Sequence, residues 1–451
     1  MNVSAVILAA GLSKRMKSDT PKVLHPLLGR PMLEYALQAV QGEVTPRPVI
    51  IVGYGAEQVR RVIGAKAEYA LQKELLGTGD AVNAARASLE GKSDYVLVVN
   101  ADLPLLRPQS IQQLVELQKT NSGPLSLLTY IGQESRGFAR ITRSASGDVT
   151  AIIEEKAATP EQLAIHEYNV GIYCFSSEWL WKNLKDIKIS AVGEYYLTDL
   201  IGMAVEQVLT VKAITLADPE EAIGINNRVH LAEAETILRR RLNEKWMLEG
   251  VSMPDPGRVY IEQDVTIGRD TVLYPDTYLR GKTVIGEGCQ IGPNTIIQDC
   301  QVGDHCTILM SVLEEAVLED EVGMGPFAHL RKGTHLGKGV HIGNFGEIKN
   351  SSLATGVKMG HFSYIGDAEI GENVNISAGV ITCNFDGEKK QKTKIGKNAF
   401  IGSDTMLRAP LEIGEGAYTG AGSVVTKDVP PHTTVVGVPA KPIKKKQTKK
   451  D

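Results

Sequence analysis

Aromatic residues are scarce: Phe, Trp and Tyr make up 5% of the 451 residues, against 45 glycines. A chain so short of rings and so rich in glycine points to a repetitive, thin-walled architecture over much of its length. There are only five cysteines, an odd number with no C-x-x-C pair. That argues against a disulfide framework and against a zinc site, and a reducing, cytoplasmic compartment is expected. No apolar run approaches the ~18 residues of a membrane span. Nor is there a basic excess: formal net charge is -4. That argues against nucleic acid as a partner. The N-terminal run "VSAVI" is short and has no basic segment before it, so it reads as a first strand and not a signal peptide.

What is present divides the chain. The length suits two or three domains. Residues 1–225 alternate strand and helix patterns: "AVILAA", then "MLEYALQAVQ", "PVIIVGY", "AEQVRRVIG" and "YVLVVNAD". This predicts an α/β, doubly wound, Rossmann-like parallel sheet with helices on both faces. Ligands of such sheets gather beyond the carboxyl ends of the strands, where Gly11 and Asp102 fall. Residues 226–250 read as one long linker helix with Leu231, Leu238, Leu242 and Trp246 on its apolar stripe, stopped by "EGVSMPDPG".

From residue 251 to 436 the sequence repeats. Ile267, Leu273, Leu279, Ile285, Ile291 and Ile297 stand six apart, and the period returns at Leu336, Ile342 and Ile348 and again at Ile395, Ile401, Leu407 and Ile413. Six Ile or Leu in succession at one chosen spacing is roughly a one-in-10⁴ to one-in-10⁵ event for average composition. A hexapeptide period predicts a left-handed parallel β-helix of roughly ten coils, three units to a coil. The aliphatic residue points inward, and the residue after it, often glycine, takes the corner. Residues 437–451 form a basic tail, most simply read as disordered, with Lys441, Lys444, Lys445 and Lys446.

The first stretch that carries chemistry is "LAAGLSKRMKSDTPKVLHPL", Leu8 to Leu27. A glycine at a strand-to-helix turn lets backbone N–H groups face a phosphate, and Lys14, Arg15 and Lys22 add positive charge. Taken alone the charges read as a solvated loop. The order "LAAG", "R", "PKVL", "QKELLGTGDAV" and "NADLPL" says more. It resembles the sugar-1-phosphate nucleotidyltransferases. From Ala5 to about Val429 the chain more closely resembles the bifunctional bacterial family that acetylates glucosamine 1-phosphate and couples the product to UTP.

That resemblance implies a uridine site at Leu8, Ala9, Ala10, Gly11, Gln72, Gly77 and Thr78, with Asn100 also binding substrate. It implies Mg²⁺ held by Asp102 and Asn226. Arg15 and Lys22 would neutralise the triphosphate, and Ala139, Glu154 and Asn169 would hold N-acetylglucosamine 1-phosphate. The chemistry is consistent. Both reactants are anions, so alignment and charge neutralisation dominate and no nucleophilic side chain is required. The chain departs from the family with Ser13 and Lys14 for Gly-Thr, Ala139 for glycine, and Val170 where threonine is common.

The second is "GHFSYIGDAEIGENVNISAGVITCNFDG". Attack of an amine on a thioester needs the amine neutral, so a base near pKa 6.5 is useful. His305, His329, His335 and His341 read as structural. The resemblance makes His361 the base, oriented by Glu347. Arg331, Lys349, Tyr364 and Asn375 would hold glucosamine 1-phosphate. Ala378, Asn384, Ser403 and Ala421 would line the acetyl-CoA site. Ser377, Val380 and Phe385 depart from the family, and its C-terminal arginine for the CoA phosphates is absent. The expected assembly is a homotrimer with acetyl-CoA pockets shared between chains. Two rivals stand beside this reading: a single-activity nucleotidyltransferase whose β-helix only trimerises, and a non-catalytic sugar-nucleotide sensor.

Overall fold

Val3–Leu8 lies in the middle of a sheet with a parallel strand on either side, which is why the run is almost wholly apolar. The computed structural model describes residues 2–12, 14–41, 44–155, 158–191 and 193–443. Ser13, Lys444, Lys445 and Lys446 lie outside them. Two compact units are present, Met1–Leu238 and Arg239–Asp451.

In the first unit the strand order is Val211–Thr215, Leu125–Ile131, Glu167–Ser176, Tyr95–Asn100, Val3–Leu8, Val49–Val52, Glu68–Leu71. Helices cover both faces. Leu33, Leu37, Val59, Ile111 and Leu114 pack on one side. Val82, Leu89, Trp181, Leu200 and Ile201 pack on the other. The expectation of an all-parallel sheet needs one correction: Glu167–Ser176 runs antiparallel to both its neighbours. A parallel return needs a crossover of a dozen residues or more, usually helical. The segment after Ile131 instead carries the hairpin Arg140–Arg143/Val149–Ile153 and a single turn, Pro160–Leu163. The pairing of Glu167–Ser176 with Leu125–Ile131 breaks register between Asn169 and Tyr173. There Gly171 takes φ +81, and a Cβ would meet the Asn100 amide.

A second correction concerns the loop after Val3–Leu8. Gly11 does not open a helix. Two 3-10 turns follow, Lys14–Met16 and Lys22–Leu24, and the first α-helix begins only at Met32. Pro21 just before Lys22 and Pro26 just after the second turn keep the segment from continuing as helix.

Arg228–Leu248 is one α-helix of 21 residues. Within the first unit Ala234 and Ile237 pack with Leu27, Met32, Leu105 and Ile225. Within the second, Asn243 donates through its amide to the carbonyls of Pro256 (2.8 Å) and Val259 (3.0 Å).

The second unit is the expected β-helix. Among the described residues, short strands stack into three parallel sheets of 10, 9 and 11 strands, one strand per coil in each; of these only Lys441–Pro442 is antiparallel. Ile285, Leu313, Leu330, Ile348, Ile365 and Leu407 fill the prism at 2% exposure or less. Each such burial is worth about 1.5–3 kcal/mol. Narrowness explains the lack of rings, because the interior takes one aliphatic side chain per strand. The glycines after the aliphatic residues answer to crowding. A Cβ on Gly343 would overlap the carbonyl oxygen of Gly360 in the next coil, and Gly343 has no positive φ. The left-handed corner conformations fall mostly to other residues, among them Asp270, Asn294, Asn350, Asp367 and Asn373. The tail also differs from expectation up to Ile443: Lys441–Pro442 pairs antiparallel with Val435 and Val436.

Candidate functional site

In the first unit a cleft of about 430 Å³ opens at the carboxyl ends of the central strands. Leu8, Ala9, Ala10, Gly11, Lys22, Gln72, Gly77, Thr78, Asn100 and Asp102 all line it. Its floor is rigid. The Ala9 N–H donates to Ile51 (3.0 Å), the Tyr54 N–H to Ala10 (3.2 Å) and the Ala101 N–H to Leu8 (3.1 Å). Gln72, 6% exposed, donates to the Gly77 carbonyl (3.0 Å) and the Asp80 carboxylate (2.8 Å). Gly77 needs to be glycine: φ is +100, and a Cβ would sit 2.6 Å from the Tyr195 carbonyl oxygen. The Leu197 N–H donates to Thr78 Oγ1 (3.0 Å) and ties the far wall to the same turn.

The charged groups are paired across the cleft. Lys22 Nζ lies 2.7 Å from Asp102 Oδ2, with side chains 15% and 28% exposed. Arg15 donates to Asn226 Oδ1 (2.8 Å), and the Ile225 N–H donates to the Asp102 carbonyl (2.9 Å). Asp102 and Asn226 are therefore held on adjoining backbone, with one carboxylate and one amide oxygen each directed at a cationic side chain. No group of three or more His, Cys, Asp or Glu capable of holding a metal occurs among the described residues. A two-oxygen donor set does fit Mg²⁺, which keeps several waters and takes its remaining ligands from phosphates.

Glu154 lines a smaller adjoining cavity with Asn100, Gly171, Tyr173 and Tyr196. Glu154 as a whole is exposed, yet partial desolvation of its carboxyl raises its pKa. Ala139 and Asn169 line neither cavity. Both are 6% exposed, and Asn169 is committed to its own bulge, donating to the Tyr173 hydroxyl (2.7 Å) and accepting from the Gly171 N–H (3.0 Å).

In the β-helix, stacking register does the assembling. Ile342, Met359, Ile376, Ile401 and Thr419 pair in succession. Two residues beyond each stand Asn344, His361, Ala378, Ser403 and Ala421, at one corner of five consecutive coils. Four of the five are expected site residues. On the adjoining sheet Arg331 and Lys349 follow the paired Leu330 and Ile348, and Glu347 pairs with Tyr364. A Cβ on Gly366 would lie 2.5 Å from the Tyr364 hydroxyl and 2.7 Å from the Asn384 amide nitrogen, so those two groups converge. Asn375 stands on the sheet before the corner and donates to Ser377 Oγ (3.3 Å).

Two expected site residues are committed to other partners. Glu347 does not orient His361; its carboxylate pairs with Arg331 at 3.0 Å. The His361 ring contacts the Asn344 side chain directly beneath it. Asn384 is 8% exposed and donates to Asp367 (2.5 Å), which also accepts from Asn350 (2.6 Å). Its amide is thus turned into a buried ladder.

Other residues emerge only from the structure. Glu194 and Tyr196 line the cleft, and nothing in the spacing of "GEYYLTD" marks them; Leu75, inside "QKELLGTGDAV", lines it too. Asn344 is one coil below His361 and could be found by counting coils. Lys390 lies beside Lys349. With Arg331 it pushes the Lys349 ammonium below the ordinary lysine range, Lys390 having the larger effect.

Residues 5–168 match the MobA-like NTP transferase domain, and residues 282–312 and 392–427 match the bacterial transferase hexapeptide (six repeats). A curated relative named bifunctional protein GlmU, from an Exiguobacterium species, is 45% identical over 427 residues, 94% of this chain and 95% of its own. The protein of the same name from a Geobacillus species is 45% identical over 94% of this chain and 93% of its own. That from Pelobacter propionicus is 44% identical over 95% and 94%. With a nucleotidyltransferase unit followed by a hexapeptide β-helix, and this identity across nearly the whole length of both chains, the protein belongs to the bifunctional GlmU family.

Proposed function

We propose that the chain makes UDP-N-acetylglucosamine with two separate active sites. In the β-helix, the amine of glucosamine 1-phosphate attacks the thioester of acetyl-CoA. In the N-terminal unit, the phosphate of the resulting N-acetylglucosamine 1-phosphate attacks the α-phosphorus of UTP and pyrophosphate leaves. The observation that carries the second activity is the corner ladder: His361 shares its edge with Ala378, Ser403 and Ala421, beside the cations Arg331, Lys349 and Lys390. A stalk that only trimerises has no need of a histidine beside a cation cluster.

In the cleft, Mg²⁺ held by Asp102 and Asn226 would neutralise phosphate charge. Lys22 and Arg15 already stand against those two side chains and are released toward phosphate oxygens as UTP enters. The Leu8–Gly11 backbone, Gln72 and the Gly77–Thr78 turn line the wall where uridine would lie. Glu154 faces the sugar side, and Asn169 shapes it from behind by holding the bulge at Gly171. At the corner, His361 accepts the proton of the attacking amine, and the Asn344 beneath it fixes the ring. The cation cluster holds the sugar phosphate, which relieves the repulsion Lys349 feels in the free protein.

The assembly is a homotrimer. Phe327, Phe345 and Phe362 support it: they stack at 5.4 and 5.0 Å between centroids, and each is about half exposed or more. A face of stacked rings open to water suits a second copy. Five free cysteines fit a reducing, cytoplasmic setting. The test is thiol release from acetyl-CoA on adding glucosamine 1-phosphate, alongside pyrophosphate release from UTP on adding N-acetylglucosamine 1-phosphate. Absence of the thiol signal in a folded protein leaves a single-activity enzyme. Absence of both leaves a binding protein.

A further inference from the structure

The β-helix register breaks once. One sheet repeats at 17 residues from Ser352 to Glu369 and at 18 from Lys394 to Glu412, but takes 25 from Glu369 to Lys394. The extra residues form a small hairpin. Phe385 bridges Lys390 in antiparallel fashion, and the Gln391 N–H donates to the Asn384 carbonyl (2.7 Å). At its base Asn384 is fastened to the buried Asp367, whose N–H donates to the Lys349 carbonyl (3.1 Å), so the hairpin springs from the coil beside Lys349. At its tip one carboxylate gathers three donors. Asp386 Oδ1 accepts from the N–H groups of Glu388 (3.0 Å) and Lys389 (2.9 Å), and Oδ2 accepts from the Gln391 amide (2.8 Å). The bonded residues Lys389 and Gln391 flank Lys390 on either side.

We infer that Asp386 is a positioning residue for acetyl transfer: by fixing the hairpin tip it holds Lys390 beside Lys349 and Arg331 as the third cation for the sugar phosphate. The inference rests on the reading that glucosamine 1-phosphate binds at this cluster. Three like charges repel, and a hairpin free to move would carry Lys390 outward. Building the repulsion into the folded protein leaves less ordering to be done when the anion arrives. The same three donors hold the Asp386 carboxyl down to about 2, so the anchor is ionised throughout any working pH.

The experiment measures KM for glucosamine 1-phosphate and kcat by thiol release in the full chain and in Lys390→Met, Asp386→Ala, Asp386→Asn and the Asp386→Ala/Lys390→Met double variant. The thermal melting transition of the β-helix reports that each is folded. Lys390→Met should raise KM about tenfold, the loss of one charge-assisted contact. Asp386→Ala should raise it by about three- to tenfold with kcat within about twofold, since an anchor acts through the group it places. Asp386→Asn, which keeps one acceptor oxygen, should fall between Asp386→Ala and the unmodified chain, and carries the test alone if the alanine variant fails to fold. The double variant should match Lys390→Met. Additive losses in the double variant, or Asp386→Ala with unchanged KM while Lys390→Met is impaired, would overturn the role of Asp386. An unchanged KM in Lys390→Met would instead overturn the reading of the cluster itself.

Discussion

Asp102 and His361 lie on different units and are proposed to serve different reactions, so single substitutions should separate them. Asp102→Ala removes the carboxylate that faces Lys22 and would hold the metal. It should reduce uridylyl transfer at least about 100-fold, as losses of charge-stabilising groups do, and leave thiol release within about twofold. His361→Ala should do the reverse, with a loss of about 10²- to 10⁴-fold typical of a general base. Measuring both activities on both variants checks this. Acidity offers a second test at this scale. The Asp386 carboxyl is depressed to about 2 by its three donors. A depressed acid contributes stability that is present above its unfolded value of ~4 and lost as pH falls through the folded value. The KM for glucosamine 1-phosphate should therefore show no hairpin transition between about pH 5 and 8. The defect of Asp386→Ala should be equally large at both ends of that window. Individual residues were readable in sequence where a motif fixed them and misread where geometry did. Glu347 stands 14 residues before His361, whereas the coil at this point repeats at 17, which places Asn344 under the ring. Counting the local coil length would have shown it. Nothing comparable marks Tyr196, which reaches the cleft only because the turn after Gly193 is tied to Gly77–Gly79 by the Tyr195 backbone.

Elements were legible in proportion to their periodicity. The six-residue period gave the β-helix nearly strand by strand, because one aliphatic side chain per strand is all the prism admits. The antiparallel strand Glu167–Ser176 left no such trace, because strand direction depends on the connection and not on the strand's own composition. Two substitutions test the packing. Ile348→Ala, at a position 0% exposed, should destabilise the β-helix by about 2–5 kcal/mol, seen as a lower melting temperature with the cleft activity retained at room temperature. Gly343→Ala forces a methyl onto the Gly360 carbonyl at the corner that carries Asn344 and His361. It should cost about 1–3 kcal/mol and depress thiol release, while Gly339→Ala, which meets nothing within 4 Å but strains a φ of +65, should cost stability without that clash or the loss of thiol release. Because Lys441–Pro442 pairs with the strand before it, a truncation testing whether the tail lysines meet the CoA phosphates should begin at residue 444. If they do, the KM for acetyl-CoA rises at low salt and recovers toward the full-length value as salt is added.

At the scale of the whole molecule the central claim is two activities on one chain. Chelation separates them as cleanly as substitution does. Removing divalent cations with EDTA should abolish uridylyl transfer, where a metal would offset the repulsion of two anions, and leave acetyl transfer intact, since the proposed amine attack there requires none. Light scattering should return the mass of three chains, and an active monomer would remove the basis for a pocket shared between copies. The most direct measurement is thiol release from acetyl-CoA by the purified full chain, started with glucosamine 1-phosphate in EDTA and followed by Mg²⁺ and UTP. The account predicts thiol release at once, no pyrophosphate until Mg²⁺ and UTP are added, and then pyrophosphate approaching the thiol already released. Pyrophosphate formed from supplied N-acetylglucosamine 1-phosphate, with no thiol ever released from glucosamine 1-phosphate, would contradict it and leave the β-helix a scaffold.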